Sequence, residues 1–356
     1  FNADSLELFE GGFGMAFLTT QKVGIEGLPP SPQGLAAWDP QRYGSLYIPS
    51  DDYSFDIFTQ TADAIRAANA TTPDMMGGLG VKHIVAQGAS QSAYRLSTYI
   101  NAIQPLTGAL DGCVLSIYFA RRTSLEVGEG VVNINALQEE SPRDRLMGQV
   151  QVRDDLGIPI FVVNSEMEAI SCYAVRQPDT DTFRYWEAAG TCHVSQQSQA
   201  ARAVQMQRDA IVGRPARKGI NAIPMNYLYD AAFHHMHRWL EEGVAPPIQP
   251  RIEFAGDPPE IVRDEHGIAK GGIRLPQVEV PVAQNSAIPL TEDIFGILDG
   301  SCHPFPADEI RRLYGDKTTY LTRFEAAAQN AVAAGVLMPR DVVPLLQEAG
   351  SQWPDD

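Results

Sequence analysis

The residues best suited to chemistry are Gly88-Ala89-Ser90-Gln91-Ser92-Ala93, set between an apolar run and an amphipathic stretch. A serine with small residues two positions to either side is close to the G-x-S-x-G turn, which presents a nucleophilic hydroxyl where a strand passes into a helix. The turn is so tight that both flanking positions must be small, and Ser92 meets that need less completely than glycine. The N-terminus of the following helix favours negative charge, and the Gln91 N–H is expected to point at a developing oxyanion. The competing reading is an ordinary strand–turn–helix with a capping serine, since short motifs match cheaply.

A serine nucleophile needs a base and a group to orient that base. After such a turn they follow in the order acid, then histidine, at the ends of later strands. The apolar run 158–163 leads into Asn164-Ser165-Glu166-Met167-Glu168, and the run 183–188 leads into Gly190-Thr191-Cys192-His193. Catalytic groups of open α/β sheets gather at the carboxyl ends of strands, where all three residue types are expected. Glu168 holds the later loop position and is the preferred acid. Glu166 either orients a loop or is the acid itself. As ordinary surface groups, both glutamates would be solvated and His193 would be a plain loop histidine.

The elements needed to position these groups are legible in outline. Gly14 to Thr20 reads as a buried strand, and residues 24–50 as a Gly- and Pro-rich loop. Asp52 is a good N-cap for a helix through Ile57, Ala62, Ile65 and Ala68. A strand is expected at 81–87, followed by Ala93, Leu96, Ile100 and Ile103 at helical spacing. Next come a strand over 112–119, a charged helix over 143–155 and strands at 158–163 and 183–188. A long amphipathic helix spans 226–242, stopped by Gly243 and the Pro246-Pro247 pair. This alternation implies an α/β fold with a mostly parallel sheet flanked by helices. Beyond 248 it gives way to loops and helices near 307–314, 318–335 and 340–349. The expected organisation is a catalytic domain over 1–247, with an insertion at about 120–155, and a C-terminal helical and loop appendage over 248–356 packed on it.

Composition narrows the function. The 356 residues carry 27 basic and 44 acidic side chains, a net charge of −17, with 44% hydrophobic and 20% charged residues. That is a globular composition, and a chain this long holds a core without disulfides or metal. The acidic balance, with a pI near 4.8, argues against nucleic acid or an anionic membrane surface as partner. No apolar run approaches the ~20 residues of a membrane span, so the chain reads as a soluble protein. Cys113, Cys172, Cys192 and Cys302 lie far apart, which argues against structural zinc but leaves one or two disulfides open. The localisation is not legible.

Other groups carry less. Asp230, His234, His237 and Glu241 share one polar helix face that suits solvation better than a metal. Cys302-His303 are adjacent and so do not face each other. Asp179-Thr180-Asp181 reads as a turn before a strand. The glycines at 77, 78 and 80 lack the Lys-Ser/Thr of a phosphate loop.

With these residues in view, the chain resembles the α/β-hydrolase fold superfamily, and within it a serine esterase-like branch. The resemblance rests on Gln21-Lys22-Val23-Gly24-Ile25-Glu26-Gly27, Trp38-Asp39-Pro40-Gln41-Arg42-Tyr43-Gly44-Ser45-Leu46 and Gly88-Ala89-Ser90-Gln91-Ser92. Ser165-Glu166-Met167-Glu168 and Trp186-Glu187-Ala188-Ala189-Gly190-Thr191-Cys192-His193 extend it across nearly the whole chain. It implies hydrolysis of a small-molecule carboxylic ester without metal or organic cofactor. Ser90 attacks, His193 serves as base and then acid, and Glu168 or Glu166 orients the imidazole. Members of this fold place further strands and a second oxyanion donor ahead of the run at 14–20. The expectation is therefore that an N-terminal segment of the fold is absent from this chain or sits on a separate N-terminal chain after cleavage. The alternatives are an acyltransferase using the same three residues and a catalytically silent hydrolase-like binding protein. The oligomeric state stays open.

Overall fold

A computed structural model of the chain describes residues 5–27, 34–71, 76–126, 149–211, 217–291 and 294–354. Its principal elements, in chain order, are α1 Leu6–Glu10, α2 Ser54–Thr71, β1 Val85–Ala89, α3 Gln91–Ala102, β2 Gly112–Ser116, β3 Ile160–Ser165, α4 Glu166–Cys172, β4 Phe183–Ala188, α5 Gln196–Arg208 and α6 Asn226–Glu242. They continue with β5 Ala283–Ser286, β6 Ser301–Pro304, α7 Ala307–Tyr314, α8 Lys317–Ala333 and α9 Val342–Gln352. The first four strands form a parallel sheet in the order β1-β2-β3-β4. β5 and β6 pair antiparallel with Ser286 opposite Ser301, and Phe254–Ala255 pairs with Glu260–Ile261. Among the described residues no helix is long and apolar enough to cross a membrane.

The chain forms two compact units. One comprises Phe1–Phe13, Ser116–Phe119 and Phe161–Asp356, and the other Gly14–Leu115 and Ala120–Ile160.

In the first unit β3 and β4 are buried along their whole lengths. Parallel strands covered on both faces read as continuous apolar runs, as the start of β3 does, whereas β4 carries Arg184 and Glu187 among its aromatic residues. Phe161 meets Trp186 edge to face at 4.8 Å, and the Trp186 indole donates to Pro247 O at 2.9 Å. The two charges inside β4 are matched. Arg176 donates to both oxygens of Glu187, and Arg184 lies 3.6 Å from Asp179. The Asp179 turn also receives Arg251 and the Tyr185 N–H, so its carboxylate serves protein partners. α6 spans the expected residues, but its polar face is not simply solvated. Asp230 is buried, accepting from Ser5 Oγ and from Arg340 at 3.2 Å, while His234 meets Glu7 at 3.1 Å. Long-range partners that periodicity cannot reveal convert this face into a seat for α1.

In the second unit α3 is anchored through the buried Arg95. Its guanidinium lies 4.7 Å over the Phe55 ring and donates to Asp51 O and Ser54 Oγ. Asp51 in turn accepts from Lys22 N–H at 2.7 Å and from the Gln21 side chain. A single 3-10 turn over Asp51–Tyr53, capped by Ser50 rather than by Asp52, precedes α2.

Several expectations are corrected. Residues 14–20 form no strand, and Phe17 is 84% exposed. A short apolar run carries no period by which to tell a strand from surface chain. The first strand lies at 85–89 rather than 81–87. The next ends at Ser116 because Ile117 turns to φ 43°, a left-handed conformation costly for a β-branched residue. Of the helix expected at 143–155, residues up to 148 lie outside the described ones. Residues 149–155 are not helical: Val150 N–H donates to Ala120 O, and Asn101 holds Gln151 O and Arg153 N–H. The Gln-rich α5 and the β5–β6 pair were not expected. The four cysteines are free thiols.

Candidate active site

Ser90 sits at the junction of β1 and α3 with φ 55° and ψ −121°. A non-glycine residue there is strained by about 1–3 kcal/mol, and such strain persists only where the surroundings fix it. They do so here. Gly88 lies so close to the next turn that a Cβ on it would come 2.7 Å from Ser92 O. The small-residue requirement therefore binds at 88, whereas Ser92 is exposed, so a side chain is tolerated there. Ser90 occupies the cap position of α3, yet its hydroxyl makes no capping hydrogen bond. The simple capping reading thus fails. Gln91 is the first residue of α3, so its N–H has no intrahelical acceptor and is directed out of the helix N-terminus.

The acid and histidine lie in the first unit. Ser165 ends β3 and caps α4: its hydroxyl accepts from Met167 N–H at 3.2 Å, while Glu168 reaches back to the Ser165 N–H at 3.1 Å and its Oγ. This capping box fixes the Glu168 carboxylate, whose other oxygen lies 2.7 Å from His193 Nδ1. Both side chains are buried, with Glu168 fully so. In the tautomer in which Nδ1 donates to this carboxylate, Nε2 is the ring nitrogen that can act as a base. Phe119, just beyond the turn at Ile117, lies 5.2 Å from the imidazole with planes 32° apart. Asn164 holds that turn from both sides, accepting from Tyr118 N–H and donating to Tyr118 O.

Glu166, two residues before Glu168, points elsewhere. It is fully buried and accepts from Gly190 N–H at 2.8 Å, Ala287 N–H at 3.1 Å and Arg263 Nη2 at 2.8 Å. The loop carrying His193 is held on further sides. Asn221 donates to Gly190 O at 2.8 Å, Val194 N–H to Leu298 O at 3.0 Å, and Ala189 N–H to Ile273 O at 2.9 Å. Cys192, beside the histidine, donates to Leu298 O, and burial raises its thiol pKa well above the usual range, which disfavours the thiolate. No group of three or more His, Cys, Asp or Glu among the described residues is arranged to hold a metal.

Glu168 and His193 are thus brought together, Glu166 is drawn to other partners, and Ser90 occupies a strained turn at the head of α3. Sequence reasoning missed Arg263, Asn221, Asn164 and Phe119. Each acts across a separation at which sequence carries no contact signal, and only the Gly190 turn hinted at a constrained loop.

A parallel sheet with a serine on a strained strand–helix turn, and a buried acid–histidine pair beyond later strands, is the architecture of an α/β hydrolase. The chain matches the family model described as alpha/beta hydrolase domain over residues 1–347 and belongs to that family. Comparison with curated proteins and with solved structures gives no match.

Proposed function

We propose that this protein is a serine-dependent carboxylic ester hydrolase using Ser90, His193 and Glu168. The observation that carries the reading is the buried contact of 2.7 Å between Glu168 and His193 Nδ1, in a chain where the strained Ser90 comes first and the histidine last. In this reaction His193 Nε2 takes the Ser90 proton as Oγ bonds to the ester carbonyl carbon. Glu168 keeps the imidazole in the required tautomer and stabilises the imidazolium. The Gln91 N–H stabilises the tetrahedral oxyanion. His193 then gives its proton to the departing alkoxide, leaving acyl-Ser90, and water activated by the same imidazole releases the acid.

Turnover of p-nitrophenyl acetate by the wild type and by Ser90→Ala tests the proposal. Turnover lost in a variant that melts as the wild type does is expected. Undiminished turnover in Ser90→Ala, or none in folded wild type, defeats the proposal. Repeating the assay with added alcohol separates hydrolysis from acyl transfer, because a transferase makes a new ester in preference to free acid.

A further inference from the structure

We infer that Glu166, clamped by Arg263, is a positioning residue that sets the His193 loop, and that the two neighbouring glutamates divide one task between them; the catalytic half of this inference rests on the ester hydrolase reading. Glu166 and Glu168 occupy the first and third positions of α4. From the same helical turn Glu168 holds the imidazole and Glu166 holds the backbone from which the imidazole hangs. Both Glu166 oxygens are used: Oε2 takes the Gly190 N–H, and Oε1 takes Arg263 and the Ala287 N–H. Its own N–H donates to Thr191 Oγ1, whose hydroxyl donates to Ala188 O. The loop is therefore gripped at Gly190 and Thr191, just before His193. Gly190 has no slack, since its φ is +70° and a Cβ would meet Val278 at 2.9 Å.

Arg263 is the balancing charge. A fully buried carboxylate is costly without a cation, and Arg263 supplies one while its side chain keeps 22% exposure. The arginine is placed by donation to Gly267 O at 3.1 Å and by a bridge to Ala269. Through it the segment 263–269 fixes the orientation of the catalytic base without touching it.

The test uses the full chain with Glu166→Gln, Arg263→Ala and Arg263→Lys. Two readouts are taken: p-nitrophenyl acetate kinetics, and the downfield proton resonance of His193 Nδ1–H, assigned by its loss in His193→Ala. Small misplacement of a catalytic group costs on the order of 10²-fold in rate. Glu166→Gln and Arg263→Ala are therefore expected to lose about that much in kcat with KM little changed, and to shift or broaden the resonance. Guanidinium added at tens of millimolar, against sodium chloride of equal ionic strength, should restore part of kcat and the resonance in Arg263→Ala. Arg263→Lys, which keeps the charge, should lie between. Folded variants with wild-type kcat and resonance overturn the inference. So does guanidinium that restores the melting temperature of Arg263→Ala but neither kcat nor the resonance, because that marks a purely structural role. If the wild type shows the resonance but hydrolyses no ester, the functional reading fails, and the positioning claim is decided by the resonance alone.

Discussion

Glu168 differs from Glu166 by which neighbours reach it. Both are fully buried and share one helical turn, but one meets an imidazole and the other a guanidinium and two backbone N–H groups. Sequence order offered Ser90, His193 and a carboxylate between them as candidates, because positions just after strand-like runs can be read locally. The choice between the glutamates depends on Arg263 and Ala287, far along the chain, and no local pattern encodes it. Glu168→Gln keeps the shape but can donate to Nδ1, which favours the wrong tautomer. In the proposed reaction kcat should fall by about 10⁴-fold, as when a triad acid becomes its amide. Steady-state kinetics on the folded variant checks this, and a fall below tenfold would count against Glu168 as the orienting acid.

At the scale of elements, the turn from β1 to α3 depends on Gly88. A Cβ at that position meets backbone atoms, Ser92 O at 2.7 Å and Ala93 N at 3.0 Å, which cannot swing aside as a side chain would. Gly88→Ala is expected to destabilise the fold by about 2–3 kcal/mol, at the upper end of ordinary single substitutions, and to lower any Ser90 reactivity. Ser92→Gly should melt near the wild type, since Ser92 is exposed. Thermal melts of the two variants provide the comparison, and a Gly88→Ala protein as stable as wild type would show the turn to be slack. The buried strand β3 was legible because a continuous apolar run is what a covered parallel strand requires, and β4 was legible from its aromatic residues despite Arg184 and Glu187. The run at 14–20 is also short and largely apolar but stays outside any strand, with Phe17 84% exposed. Composition reports what can be buried, and pairing partners decide what is. The expected helix at 143–155 failed in its described part for a related reason, since Asn101 offers that backbone a partner outside any helix.

At the scale of the molecule, an acidic chain has buried titratable groups that shift in opposite senses. Burial, aided by the negative charge of Asp230 and opposed by Arg340, pushes the Asp341 carboxyl up to about 6. One of its oxygens, Oδ2, is buried without a hydrogen-bond partner. A raised acid favours the folded state when protonated. That stability is full below the ordinary carboxylate pKa and is lost as pH rises through about 6. His235 donates to Gly335 O at 2.8 Å, and burial lowers its pKa. Its contribution is full above the ordinary histidine pKa and is lost as pH falls below it. Asp341→Asn, which removes the buried charge, should therefore raise the melting temperature at pH 8 and change little at pH 4. Melts at both values check it, and a lower melting temperature at pH 8 would mean that the charge of Asp341 is needed. None of this pH dependence was legible beforehand, because sequence shows which groups titrate but not which are buried against one another.

The central claim is that Ser90 is an activated nucleophile with His193 as its base. The most direct test is intact-mass analysis after incubation with a fluorophosphonate, followed by peptide mapping. One adduct on the peptide containing Ser90, absent from Ser90→Ala and suppressed in His193→Ala, is the predicted result. Folded wild-type protein that takes up no adduct, or takes it up on another residue, would contradict the account.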